Sequence, residues 1–319
     1  MPRTTLLAAA ALITATLLWS GGTVLVRALR ESLPPMNLSF LRAVLAFLVV
    51  LPFAWSQARS QAPLLRAELG RLAAAGLIGV AAFPVALFIA IHQTQAINVG
   101  LISASEPLVI ALVAWIALGH RLGLGQILGF VVGAAGVAVI VSEGDVARLG
   151  GLKIGPGDAI AVGSLYVWAV YTVLVQRVAP ALSARVVLAA VFAWGIAFSA
   201  PFAVVEALVD PPRFSRTAAA LVAYSAIGGA ALSFACWNFG ARVLGPTRAG
   251  FFLYLIPVFT LVLAMLVLGE PLRAHHAVGA VAIAIGIALA TVPWRARLTR
   301  QGPRPKASRG AGADGEEAS

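Results

Sequence analysis

Long apolar runs recur along this chain and constrain its fold more than any other feature. They lie near residues 6–26, 38–55, 72–91, 97–118 and 126–142, then 157–176, 185–205, 217–239, 249–268 and 276–293. A hydrocarbon core about 30 Å thick is crossed by a helix of roughly 17–25 mainly apolar residues, so each run is long enough to span once. None alternates polar and apolar residues over about ten positions, as barrel strands do. A helix satisfies its own backbone hydrogen bonds in a solvent that offers none. The sequence therefore predicts an all-α integral membrane protein with ten transmembrane helices. Only 11% of the 319 residues are charged, against about a quarter in soluble domains. A soluble enzyme, a disordered chain and a coiled coil are excluded.

The first run follows Arg3 and looks like a secretory signal. It is longer than a signal core, and its Trp19-Ser20-Gly21-Gly22 section recurs in altered form later, so it reads as the first membrane helix. The formal charge of +11 does not point to nucleic acid, because the basic residues sit between and after the apolar runs rather than on a basic face. The only lysines are Lys153 and Lys306, which excludes a Walker-type ATP site and a Schiff base inside a helix. Cys236 is the only cysteine, so there is no disulfide and no cysteine metal cluster. No cofactor and no metal is expected.

The two halves of the chain repeat each other. A shift of 149 residues lays Trp19 on Trp168 and Thr23–Val26 on Thr172–Val175. A shift of 150 lays Gly100 on Gly250, Pro107 on Pro257, Gly129 on Gly279 and Gly136 on Gly286. The offset holds five spans, an odd number, so the second copy enters the membrane from the opposite side. Two inverted five-helix repeats result: residues 1–142, a connecting loop at 143–156, and residues 157–293. The remaining 294–319 is a Pro/Gly-rich, charged tail expected to be disordered. Secondary transporters built this way bind their solutes between the repeats, near the midplane. With the N-terminus inside, fifteen Lys and Arg fall on the inner side and seven on the outer. The excess predicts both termini in the cytoplasm of a plasma-membrane protein.

The stretch Glu106–Leu122 (EPLVIALVAWIALGHRL) and its partner Ile256–Leu272 (IPVFTLVLAMLVLGEPL) resemble the EamA-type transporters of the drug/metabolite transporter (DMT) superfamily. That family's halves each carry a helix with a mid-span proline ending in a Gly-Glu-x-Leu turn. Trp19 and Trp168, one in the first helix of each half, and Arg42, early in the second helix, also fit. The resemblance covers residues 6–293 and implies a ten-helix transporter of small metabolites. This chain departs from the family at His120, where the second half has Glu270.

Glu106 is the residue with the sharpest chemistry. An acidic side chain near mid-span costs about 2.5–3.5 kcal/mol on insertion scales, so it faces the bundle interior or a wet cavity. Beside Pro107, which cannot donate a backbone hydrogen bond and leaves the carbonyl near Ser103 open, it suits proton coupling or a substrate amine. Its alternative is a structural carboxyl bonded to a neighbouring helix. Arg42, the only basic residue placed within a span, either holds a substrate carboxylate or snorkels to the headgroups. Trp19, Phe88, Trp168, Tyr171, Asn238 and Tyr254 are candidates for lining a substrate cavity, set against ordinary helix packing. Gly125, Gly129 and Gly133 form a close-approach ladder, with Gly279 and Gly286 in the second half, and Ala280, Ala284 and Ala288 repeat the spacing. These faces pair the fifth and tenth helices or form a homodimer seam.

The expected function is alternating-access transport of a small metabolite, an amino acid or a related zwitterionic compound, in the direction of efflux. The lack of counter-charges disfavours a multiply anionic solute. The rival readings are a membrane-embedded lipid-modifying enzyme, which needs more acids or histidines than Glu106 at one face, and a sensor or scaffold, which normally carries a soluble domain.

Overall fold

The computed structural model describes residues 3–29, 33–94, 96–145, 147–150, 155–268 and 273–291. The tail at 294–319, Lys153 and the Gly269-Glu270 turn lie outside the described residues. All described regular structure is helical, and ten helices are long and apolar enough to cross a membrane. They are α1 (Arg3–Gly22), α2 (Pro35–Ser60), α3 (Leu69–Ala90), α4 (Asn98–Leu118) and α5 (Leu124–Val141). The second half supplies α6 (Pro156–Gln176), α7 (Ala184–Val209), α8 (Arg216–Leu244), α9 (Pro246–Leu263) and α10 (Ala274–Thr291). Their order matches the ten apolar runs.

One boundary moves a charge. α8 continues past residue 239 to Leu244, because no breaker intervenes until Gly245, at φ +84°, and Pro246. Arg242 therefore lies inside a span, and Arg42 is not the only basic residue there.

The halves meet along a seam between α5 and α10. A methyl group added at Gly129 would sit 2.6 Å from the Gly286 carbonyl oxygen, and one at Gly136 would sit 2.7 Å from that of Gly279. Both Gly129/Gly279 and Gly136/Gly286 are 150 apart, so the contacts are reciprocal, as a two-fold axis requires. Low-numbered positions on α5 meet high-numbered ones on α10, so the helices run antiparallel and the axis crosses them. That is the geometry of an inverted repeat. Gly133 packs on both Gly286 and Tyr254, whereas Gly125 is only half-buried. The Ala280, Ala284 and Ala288 face does not pair α10 with α5: Ala284 and Ala288 are exposed, and Gly279, Ile283, Gly286 and Ala290 are buried. Steps of four drift around a helix of 3.6 residues per turn, whereas alternating steps of four and three stay on one face.

Two further contacts join repeat-related residues directly, which is possible only close to the axis. The Trp19 and Trp168 rings meet edge to face at 5.3 Å. The Tyr254 hydroxyl donates to the carbonyl of Ala104, its partner at offset 150, at 3.0 Å. Irregular backbone is repeated as well. α3 is π-helical over Gly76–Ala82 and α8 over Ile227–Leu232. α4 breaks between Ser103 and Glu106, and α9 tightens to 3-10 geometry over Phe251–Tyr254.

A pair of clasps joins α2 to α7, one at each membrane face. At the start of α2, the Glu206 carboxylate accepts from the backbone N–H groups of Met36 (3.2 Å) and Asn37 (2.7 Å) and from the Asn37 side chain (2.9 Å). At the start of α7, the Ser183 hydroxyl donates to Gln57 Oε1 (2.8 Å) and its backbone N–H to Gln61 Oε1 (3.0 Å). Gln57 and Glu206 are 149 apart. Each second helix thus ends on the first turn of the other, with a charged acceptor on one face and a neutral one on the opposite face.

Candidate functional site

At mid-membrane, α1, α3, α6 and α8 converge on a knot of aromatic rings. Trp168 lies 4.8–5.7 Å, centroid to centroid, from Trp19, Phe83, Tyr171, Phe234 and Trp237. Several polar edges of the knot are satisfied internally. Trp19 Nε1 donates to the Gly229 carbonyl in the π-helical stretch of α8 (3.1 Å), and Trp237 Nε1 donates to Thr172 Oγ1 (3.2 Å). Tyr171 and Asn238 bond each other, and the Tyr171 ring lies against Gly79 in the π-helical stretch of α3. The widened turns bring backbone to the rings and leave no room for a side chain at Gly79. Trp168, Tyr171 and Trp237 are at most 2% exposed. Together the rings form an aromatic cluster between the halves.

Of the residues proposed for a cavity, Trp19, Trp168, Tyr171 and Asn238 therefore come together, joined by Phe83, Phe234 and Trp237. Phe88 lies elsewhere, in a small cluster with Leu33, Leu38, Ala218 and Val222 toward the face opposite the N-terminus. Tyr254 also lies apart, with Ala104, Val137, Phe251 and Ile283. Its hydroxyl satisfies a carbonyl freed by the break in α4. That carbonyl belongs to Ala104, not Ser103, because Leu108 N–H turns to Ser105 instead.

The charges in the spans divide into two kinds. Asp158 in the first turn of α6 accepts from Thr94 Oγ1, Asn98 Nδ2 and the Gly155 N–H, pinning the α3–α4 junction to α6. Glu206 is held in its clasp. These two acids are structural, and the sequence pattern did not single them out. Arg42 and Glu106 are different: neither has a hydrogen-bond or ion-pair partner among the described residues. Glu106 follows the α4 break on the strip of buried Val109 and Ile110, while Leu108, Leu112, Trp115 and Ile116 face outward. It thus points into the bundle. Arg42 is half-buried in the second turn of α2, one turn from the buried Ser39, whose hydroxyl also has no partner. Arg242, one turn beyond Asn238, lies within electrostatic reach of Tyr171, and its buried Nη2 also has no hydrogen-bond partner among the described residues. Among the described residues no three His, Cys, Asp or Glu side chains are grouped to hold a metal ion.

Comparison with known proteins gives the chain's family. The EamA-like transporter family model matches residues 6–142 and again residues 155–292. An uncharacterized transporter of Archaeoglobus fulgidus is 26% identical over 275 residues, covering 86% of this chain and 94% of the relative. The uncharacterized transporter YyaM of Bacillus subtilis is 26% identical over 257 residues, 78% of this chain and 81% of its own. A protein crystal structure superposes with a TM-score of 0.73 at 24% identity, over 92% of this chain and 99% of the other, and shares the fold.

Proposed function

We propose that this chain, which belongs to the EamA-like transporter family and is a multi-pass membrane transporter, carries amino acids or similar zwitterionic metabolites outward by alternating access. One observation carries the solute class: among the charges in the spans without a partner among the described residues are Arg42 and Glu106, one cationic and one anionic. Uncompensated charge in a membrane interior is costly. A guanidinium for a carboxylate and a carboxylate for an amine make the charge set a zwitterion needs. The aromatic knot then serves as the surface beside which the apolar part of the solute is held.

Symmetry describes the motion. When the two halves exchange conformations, contacts on the axis map onto themselves and persist, while off-axis contacts change. The α5–α10 seam, the Trp19–Trp168 pair and the Tyr254–Ala104 bond form the pivot. The halves rock about that pivot, opening the central region first to one side and then to the other.

A binding screen tests the reading. Thermal unfolding of the purified protein is followed against amino acids, sugars and cationic drugs, with Arg42→Gln in parallel. Stabilisation by amino acids that weakens about tenfold in Arg42→Gln is expected. Stabilisation by sugars or cationic drugs alone overturns the solute class.

A further inference from the structure

We propose that a second, separate site on the membrane face carrying the N-terminus binds a small oxyanion, a phosphate or carboxylate group. It is a cavity of about 440 Å³ between the α4–α5 turn and the α8–α9 junction, with His120, Arg121, Gln126, Thr247 and Arg248 among the residues lining it. That volume falls within the usual range for small-molecule sites, about 300–1,000 Å³.

Thr247 lines this cavity and is 8% exposed, and its buried Oγ1 has no hydrogen-bond partner among the described residues. Orphaned buried hydroxyls are rare and unfavourable. Arg121 and Arg248 are exposed at the rim and have no partner among the described residues. Gln126 spends its Oε1 on the Gly123 N–H, which leaves its Nε2 donor for the cavity. Among the described residues no Asp or Glu lines the space. Two guanidiniums, an amide N–H donor and a hydroxyl match an oxyanion, and the arginines can engage it bidentately.

The repeat supplies an internal comparison. At offset 150, Leu244 and Arg248 of the α8–α9 junction correspond to Thr94 and Asn98 of the α3–α4 junction on the opposite face. There the junction already holds a carboxylate, that of Asp158. At offset 149 the counterpart of Asp158 is Ala9. The α8–α9 junction thus has an arginine where its counterpart has an amide, and no carboxylate of its own. His120 stands where the second half has Glu270, so the turn adds no negative charge either. One junction is closed by an internal anion, and the other is built for an external one.

The full-length protein in phosphatidylcholine nanodiscs is titrated with sodium phosphate, against sodium chloride at matched ionic strength, and its unfolding temperature is read. A saturable rise specific to phosphate is expected. In the double variant R121Q/R248Q its half-saturating concentration increases at least tenfold, and in Thr247→Val severalfold. Elution as a single species by size exclusion establishes that each variant is folded. No phosphate-specific rise in the parent protein, or an identical rise in the double variant, overturns the proposal. A parallel titration in nanodiscs containing phosphatidylglycerol separates the two sources of such a group. Loss of the phosphate response there in the parent protein assigns the site to a lipid headgroup, and an unchanged response assigns it to a soluble solute.

Discussion

Replacing Glu206 with alanine removes one clasp and leaves the rest of α7 in place. Three donors lose their acceptor at once, two of them backbone N–H groups in the first turn of α2. That turn has no other side-chain cap, because Pro34 precedes it. Hydrogen bonds to a charged acceptor contribute about 1.5–3 kcal/mol each, and an anion at a helix N-terminus adds about 0.3–1 kcal/mol. Water at headgroup depth replaces part of this, so the net loss expected is about 2–4 kcal/mol. For a chain of this size that corresponds to a fall of roughly 3–6 °C in apparent Tm. Glu206→Gln keeps an acceptor without the charge and loses about half as much. The symmetric change, Gln57→Ala, frees only the Ser183 hydroxyl, since Gln61 still holds the Ser183 N–H, and costs about 1 kcal/mol. Thermal unfolding in detergent, followed by far-UV circular dichroism, ranks the three. A loss for Glu206→Ala no larger than for Gln57→Ala refutes the assignment of the charged clasp.

Other changes address the seam, the knot and the acid. Gly136→Val places a side chain 2.7 Å from the Gly279 carbonyl, and a loss of more than about 3 kcal/mol, or failure to yield monodisperse protein, is expected; Ala284→Val on the exposed side of α10 serves as a neutral control. Trp168→Ala empties the centre of the aromatic knot and costs about 3–5 kcal/mol by thermal unfolding. Glu106→Gln keeps the shape and removes the charge, so the protein still inserts but pH-gradient-driven flux in proteoliposomes is lost; undiminished flux removes Glu106 from any coupling role.

Much of the architecture was legible because lipid imposes long apolar runs and because duplication leaves an offset that can be counted. Trp19 and Trp168 were matched as sequence partners and meet on the axis. Gly129, Gly136, Gly279 and Gly286 were matched the same way and form the seam. What stayed hidden depends on contacts between distant residues. Glu206 at the end of an apolar run reads like any acid at headgroup depth, and nothing local shows that it caps a helix about 170 positions away. Asp158 reads as a first-turn acid, and only the fold brings Thr94 and Asn98 to it. Tyr254 looks like a cavity aromatic, yet the break in α4 gives it a carbonyl to bind. The alanine face at 280, 284 and 288 follows a spacing that drifts around the helix, which packing on α5 does not tolerate.

Counterflow in proteoliposomes tests the central claim most directly. Vesicles loaded with an unlabelled amino acid and diluted into a trace of the labelled one should accumulate label transiently when they contain the parent protein. Arg42→Gln and Glu106→Gln, reconstituted to the same density, should both fail to do so. Accumulation that persists undiminished in both variants, or none with the parent protein for any zwitterionic solute, contradicts recognition through this pair of unpaired charges.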